Sequence, residues 1–548
     1  MGSMVEQEDG EGGVTRNAEL LLDQVGPEAL GYIFNLSEEE YEQLKSKSTL
    51  PDRVTGDDRY FPMVSNYASV VSGKGSSMLC SHFWTQLMFG PVGERNLIDS
   101  IRHLCGVREL DQVIPTHVDD MMRAFAHDLH VAALLPSFEG GSYFGGGNYA
   151  SGYFAHPLRA SFEKAVMSDG DLGKLFPKVE NDGMRTGYVR RSSGTGGTIG
   201  LTEVASCCLN YGNILCRVRG REVSPDVVAE GAIEGLNILR AGARGEEFET
   251  TVVVGVAGSL AESLNRVDFG DALLIRVPHQ DRERLVPVSR SVEAGNSPYE
   301  CEDALVLSFP VRDSLEFAVD RESIGGPWEC ENFASETRQR IENIILGSVL
   351  SDRSRKPAIK EKWSVCIGPF SGGGVSHSIG DGIFHGPHPC IDSRFVRTWE
   401  SKVTALDKCD QTQILIPRSR LLSAVEELRS PADSLVDALI AWESFFGTGA
   451  EITFQVTASM AWVFHPRLDQ YDERISERRS LGKIYGMRST IVHGGVLKSQ
   501  EKLLQGAHEA IDAAARLIEI IACERSDLLS LNVKKRTESI LLGTFIEE

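Results

Sequence analysis

Three things are scarce in this chain of 548 residues: paired cysteines, long apolar runs and positive charge. The eleven cysteines are odd in number and scattered from Cys80 to Cys523, and the one close pair, Cys207-Cys208, is adjacent rather than spaced as Cys-x-x-Cys. That excludes the disulfide framework of a small secreted domain and implies reduced thiols in a cytoplasmic setting. No apolar stretch approaches the ~18 residues of a membrane span, and segments such as Leu517–Cys523 are short and helical in pattern. No secretory signal opens the chain, so no membrane partner is expected. Lys and Arg number 56 against 78 Asp and Glu, a net charge of −22. Such a surface repels phosphate backbones and excludes a protein that coats duplexes generally. Nucleic-acid chemistry, if present, has to sit in a local basic patch.

What is there suits a globular chain: 41% of residues are hydrophobic and 24% charged. The pattern predicts an α+β multi-domain protein in four parts. Residues 1–17 read as a disordered acidic tail behind a tag remnant, with Met4 as the native start. Residues 18–241 are mixed and mostly helical, with apolar residues at three- and four-residue spacing over Glu39–Leu44, Leu97–Leu104 and His117–Leu135. Gly140–Tyr149 and Gly194–Gly200 are expected as loops, the second preceding a helix from Thr202 to about Arg217. Residues 242–417 form a β-rich, possible sensing or regulatory domain. Thr250–Val256, Ala272–Val277, Ala304–Phe309 and Leu315–Val319 would be strands of a largely antiparallel sheet. A helix near Glu336–Leu346 interrupts them, Trp363–Ile367 and Gln413–Ile416 are late strand candidates, and Gly372–Pro389 is a loop. From 418 to 548 the reading is all helix, in five segments: Arg418–Arg429, Ala432–Phe446, Glu451–Phe464, Asp472–His493 and Ser499–Cys523.

The stretch Arg474–Lys498 reverses the overall charge. It holds Arg474, Arg478, Arg479, Lys483, Arg488 and Lys498 against Glu477 alone, a local +5. It is a candidate phosphate site, although arginines on one helix also form solvated surface pairs. Within it, Arg488 and His493 have four residues between them. On an ideal helix they lie ~140° apart and share no face unless the helix ends there, as Gly494-Gly495 suggests.

The surroundings of this pair resemble the HEPN superfamily, and specifically its Apea-like branch, whose motif helix reads Y-x-x-R-S-x-x-V-H-G. Tyr485, Arg488, Ser489, Val492, His493 and Gly494 fit it. An earlier helix of that branch reads L-x-x-A-L-x-x-x-E-x-L-F, to which Leu435–Phe446 is similar. The likeness covers Asp433–Arg525, about a sixth of the chain. It implies a C-terminal all-α HEPN bundle, a homodimer with facing Arg/His motifs, and metal-independent endonuclease cleavage of RNA, in single strands or a tRNA loop. In that reading Arg488, His493 and Glu443 are the catalytic set, Glu443 by orienting one of the other two, against a structural pair or a helix N-terminal charge for Glu443. Ser489, Arg478, Arg479 and Lys483 would contact RNA, against surface roles for the same residues. The upstream regions would restrain a defence or toxin effector, with a trigger or regulatory protein as a further partner. The competing reading is a non-catalytic HEPN scaffold that binds a partner such as a nucleotidyltransferase. A third is a small-molecule enzyme in the first 230 residues, with the bundle as its dimerisation unit.

Other signals carry less. Gly194-x-Gly196-Gly197-x-x-Gly200 behind Arg190-Arg191 matches neither the dinucleotide fingerprint nor a P-loop, leaving only a small anion as its ligand. His385, His388 and Cys390, with His377 nearby, lack the paired spacing of a zinc site. His127 and His130 read as incidental on an apolar helix face, and Trp442 and Trp462 as core. No metal or cofactor is expected.

Overall fold

The computed structural model describes residues 19, 21–22, 25–56, 61, 64, 91–92, 95–107, 115–135, 148–179, 184–191, 196–277, 304–318, 331–370, 388–447, 451–493 and 499–543. Mixed α and β structure is what it shows, with a helical C-terminal region. The expected loop at Gly140–Tyr149 lies outside these residues up to 147, and so does most of Gly372–Pro389.

In chain order the helices begin with α1 (Pro27–Ile33), α2 (Glu38–Lys47), α3 (Leu97–Leu104), α4 (Val118–Asp128), α5 (His130–Leu134), α6 (Tyr149–Ala155) and α7 (Arg159–Ser168). Strands β1 (Lys178–Val179), β2 (Arg185–Arg191) and β3 (Gly196–Gly200) lead to α8 (Val204–Val218) and α9 (Pro225–Ala243). Next come β4 (Phe248–Gly258), β5 (Arg266–Asp268), β6 (Leu273–Val277), β7 (Ala304–Asp313), β8 (Leu315–Ala318), α10 (Glu331–Ser351) and β9 (Ile359–Ile367). The chain continues with α11 (Ser393–Lys408), α12 (Gln411–Ala424), α13 (Pro431–Phe446), α14 (Ile452–Phe464), α15 (Tyr471–Val492), α16 (Gln500–Ile518) and α17 (Val533–Leu541). One four-stranded sheet is built around β2, and a five-stranded sheet has the order β9-β4-β7-β6-β5.

Two expectations are corrected here. Gly196–Gly200 is a strand, β3, paired antiparallel to β2 from Thr186↔Gly200 to Arg190↔Gly196. Glycine is costly in a strand, but the ladder's hydrogen bonds and the burial of Ile199 outweigh that cost. Gln413–Ile416 is helix, not strand. The Asp410 carboxylate accepts the Thr412 N–H at the start of α12, and Ile414, Pro417, Arg418, Leu421 and Ala424 are buried at helical spacing. The β-branched run and Pro417 disguised that period.

By contact, the chain divides into two compact units, the first comprising Met1–Val254, Val277–Phe333 and Trp363–Ser378. Its core packs Leu30, Ile33, Ile98, Ile101, Met122, Phe125, Phe162, Val204 and Leu236. The ends of its helices are set by side chains: Ser37 and Glu40 form a reciprocal capping box on α2, and Ser224 with Pro225 opens α9. Helices α8 and α9 cross so closely that a Cβ on Gly231 would lie 2.6 Å from the Gly212 Cα. Only glycine fits there.

His130 opens α5 inside this core, stacked edge-on against Tyr32 at 4.9 Å. Burial first, then Arg102, His127 and Arg217, pull it down to about 4. The unfolded chain therefore binds the extra proton from about pH 6.5 down to about pH 4, and the folded state loses stability as the pH falls through that window. The shift corresponds to about 3 kcal/mol. Urea midpoints at pH 7 and pH 4.5 are expected to differ less in His130→Phe than in the wild-type chain; an unchanged difference would sink this assignment.

The second unit comprises Gly255–Arg276, Ala334–Lys362 and Ile379–Glu548. Leu435, Leu439, Trp442, Phe446, Met460, Val463, Leu481, Ile484 and Leu517 form its core, with the Trp442 Nε1–H donating to the Ala510 carbonyl at 3.2 Å. Ser430 caps α13 and Ser499 caps α16. Asp437 is buried on α13. Burial alone would raise its carboxyl, but hydrogen bonds from Arg429, Arg420 and Ser423 overcome that and hold it below the usual carboxylate range. Arg536, fully buried, donates to the carbonyls of Leu528, Phe445 and Leu531 and to Gln413. These buried polar groups fix how α12, α13 and α17 pack, and so where α13 presents Glu443 to α15.

Candidate functional site

Helix α15 carries most of the basic stretch and runs unbroken to Val492. His493 is its C-cap, and the His493 N–H donates to the Ser489 carbonyl at 3.2 Å. Arg488 and His493 are thus joined by regular helix, ~140° apart by its geometry. One chain does not bring the two side chains onto one face. Gly494, Gly495 and Lys498 lie outside the described residues.

The residues of the stretch do not act alike. Arg474 is buried, 3.9 Å over the Trp462 ring, and donates to the carbonyls of His465, Arg467 and Leu468. It neutralises the negative end of α14 and belongs to the packing rather than to a ligand face. Glu477, the one acid, lies 3.5 Å from His465. Arg478, Arg479, Lys483 and Ser489 are exposed on α15, as is His493.

Arg488 is half-buried and held. Its Nη2 donates to Glu443 Oε2 at 3.2 Å, across from α15 to α13. The hydroxyl of Tyr485, one turn earlier on α15, donates to the other oxygen, Glu443 Oε1. Burial first, and the Glu443 hydrogen bond second, push the Tyr485 hydroxyl up to about 12, so it stays a donor through the neutral range. The Arg488 guanidinium carbon stands 5.7 Å from the Tyr485 ring centre. Arg488 and Glu443 side chains keep 27% and 21% exposure, so the pair is shielded from bulk water yet reachable from outside. Of the sequence-predicted residues, the structure joins Glu443 to Arg488 and leaves His493 apart from them within one chain.

Sequence reasoning missed two participants. Tyr485 was read only as a motif position, and its hydroxyl partner lies 42 residues away. Phe454 is 52% exposed on α14 with the Arg478 guanidinium 5.7 Å over its ring. The sequence carried no signal for it, because α14 is buried nearly all round from Val456 to Phe464.

The discounted signals resolve as packing. Arg190 pairs with Glu316 at 2.6 Å and buried Arg191 with Asp313 at 2.7 Å, so neither charge is left for an anion. His127 pairs with Asp226 at 3.0 Å and sits on a different helix from His130. His388 and Cys390 are described, whereas His377 and His385 lie outside the described residues. Among the described residues no group of three or more His, Cys, Asp or Glu could hold a metal ion, and no helix is long and apolar enough to cross a membrane. No protein-family model, curated protein or solved structure matches the chain.

Proposed function

We propose that the C-terminal helical region is a metal-independent RNA endonuclease of the HEPN type, acting as a homodimer in a cytoplasmic defence or toxin effector that its upstream regions restrain. The observation that carries this reading is the Glu443–Arg488 pair. It presents a partly shielded guanidinium on a helix that also exposes Arg478, Arg479 and Lys483 and whose end bears His493.

The reaction needs these groups and water. A ribose 2′-oxygen attacks the adjacent phosphorus, the bond to the 5′-oxygen breaks, and a 2′,3′-cyclic phosphate and a 5′-hydroxyl result. One proton leaves the 2′-oxygen and one arrives at the 5′-oxygen. The imidazole of His493 carries a proton at one of these positions and water at the other, the work of a general acid or base. Arg488 stabilises the charge on the pentacoordinate phosphorus through charge-assisted hydrogen bonds. A two-fold axis supplies what one chain lacks, by setting Arg488 of one subunit against His493 of the other. Arg478, Arg479, Lys483 and Ser489 contact flanking phosphates, and Phe454 offers an exposed ring on which an unpaired base stacks.

The test is cleavage of total cellular RNA by the full chain in excess EDTA. Wild-type protein is expected to cut and His493→Ala to fall by ~10²–10⁴-fold, the usual worth of a general acid or base. Equal cutting by both, or none by either, overturns the proposal; the second outcome favours a scaffold that binds a partner.

A further inference from the structure

We infer that Tyr485 is a positioning residue that keeps Glu443 from closing a two-bond pair with the Arg488 guanidinium, so that the arginine charge stays available to an RNA phosphate, an inference that rests on the nuclease reading above. A carboxylate and a guanidinium left to themselves pair side by side through two parallel N–H···O bonds. Here the pairing is single. Arg488 Nη2 donates to Glu443 Oε2 at 3.2 Å, while Oε1, the oxygen a second bond would use, is taken by the Tyr485 hydroxyl. Arg488 Nε is correspondingly buried with no acceptor among the described residues. Tyr485 and Arg488 lie three positions apart on α15, so the same ring that flanks the guanidinium delivers the hydroxyl that restrains its carboxylate.

The consequence has a definite sign. Without the Tyr485 hydroxyl, Glu443 Oε1 is free to turn to Arg488 Nε and close the two-bond pair. The arginine charge is then more fully cancelled and its fork held inward, so the phosphate receives less of both. Removing one stabilising contact to Glu443 thus tightens the Glu443–Arg488 pair and slows the reaction. Converting Glu443 to its amide in that background loosens the pair again. A tyrosine that served only to hold the fold predicts the reverse, since a second lesion in the same cluster would add to the first.

The test compares wild type, Tyr485→Phe and the double variant Tyr485→Phe/Glu443→Gln as full-length chains, with thermal melting as a check on folding. A single-stranded oligoribonucleotide in EDTA reports cleavage, and the all-deoxy oligonucleotide of the same sequence, which cannot be cut this way, reports binding. Tyr485→Phe is expected to lower kcat/KM about tenfold, equivalent to ~1.4 kcal/mol of barrier. Its binding should lose roughly 0.7 from the slope of log affinity against log salt, the value of one phosphate contact to a single strand. The double variant is expected to recover part of both. Wild-type rate and salt slope in Tyr485→Phe, or a double variant worse than the single one, overturns the inference. Absence of cleavage in all three chains overturns the nuclease reading, and the binding slopes then still decide the role of Tyr485.

Discussion

Mixing Arg488→Ala and His493→Ala chains, each inactive alone, is expected to restore RNA cleavage to about a quarter of the wild-type rate. Random exchange makes about half of the dimers mixed, and a two-fold arrangement leaves each mixed dimer one intact Arg488/His493 pair of two. Separately, each variant should lose ~10²–10³-fold or more, as removal of a transition-state charge partner or of a proton carrier usually costs. The expectation follows from α15 being continuous to Val492, which sets the two side chains on different faces of one helix. Both substitutions should leave the fold intact, because His493 is exposed and Arg488 contributes one hydrogen bond to Glu443 rather than core packing. Rates measured after mixing and re-equilibration decide the matter. A mixture no more active than its parts contradicts the composite site, and undiminished single variants contradict the assignment of either residue.

The largest effect on stability is expected in the first unit, from Asp313→Asn. The Arg191 and Asp313 side chains are 5% and 0% exposed and meet at 2.7 Å. Arg191 also donates to the Cys366 carbonyl at 3.0 Å and lies 2.8 Å from its sulfur. Burial pushes the Cys366 thiol up to about 11, with Arg191 pulling the other way, so at neutral pH the sulfur is protonated and cannot replace Asp313 as a counter-ion. Asparagine keeps the shape and removes the charge, leaving Arg191 buried and uncompensated. Loss of one partner of such a pair costs about 3–5 kcal/mol. Replacing both by apolar residues, as in Arg191→Met/Asp313→Leu, should cost far less, because no charge is then stranded. Urea unfolding of the three chains reads this directly. A loss below about 1 kcal/mol in Asp313→Asn would place the pair in a wetter setting than the structure gives it.

How much of this was legible depends on the range of the interaction concerned. Helices α13 to α16 follow from apolar spacing, from Ser430 and Ser499 as caps, and from Pro431, and the sequence shows all of these locally. Strand β3 was hidden because its glycines argue for a loop, and only the ladder with β2, a tertiary fact, overrules them. At α12 the local signals conflicted, with β-branched residues and Pro417 against a helical burial period that shows only once the core is known. In the site, the basic residues of α15 were visible as charge, but charge does not say which way a side chain points. Arg474 turns inward to three carbonyls, while Arg478 lies over Phe454. The Glu443–Arg488 contact joins residues 45 positions apart, and resemblance suggested it where spacing could not. The claim on Oε1 by Tyr485 had no signal in the sequence at all.

The most direct measurement is the chemistry of the ends left on RNA cut by the full chain in EDTA. Fragments are labelled for 5′-hydroxyl and 2′,3′-cyclic phosphate termini, with His493→Ala as the control. Arginine and histidine acting on a 2′-oxygen attack predict 5′-hydroxyl and cyclic phosphate ends from wild type and none from the variant. Fragments bearing 5′-phosphate and 3′-hydroxyl ends, or RNA left whole, would contradict it.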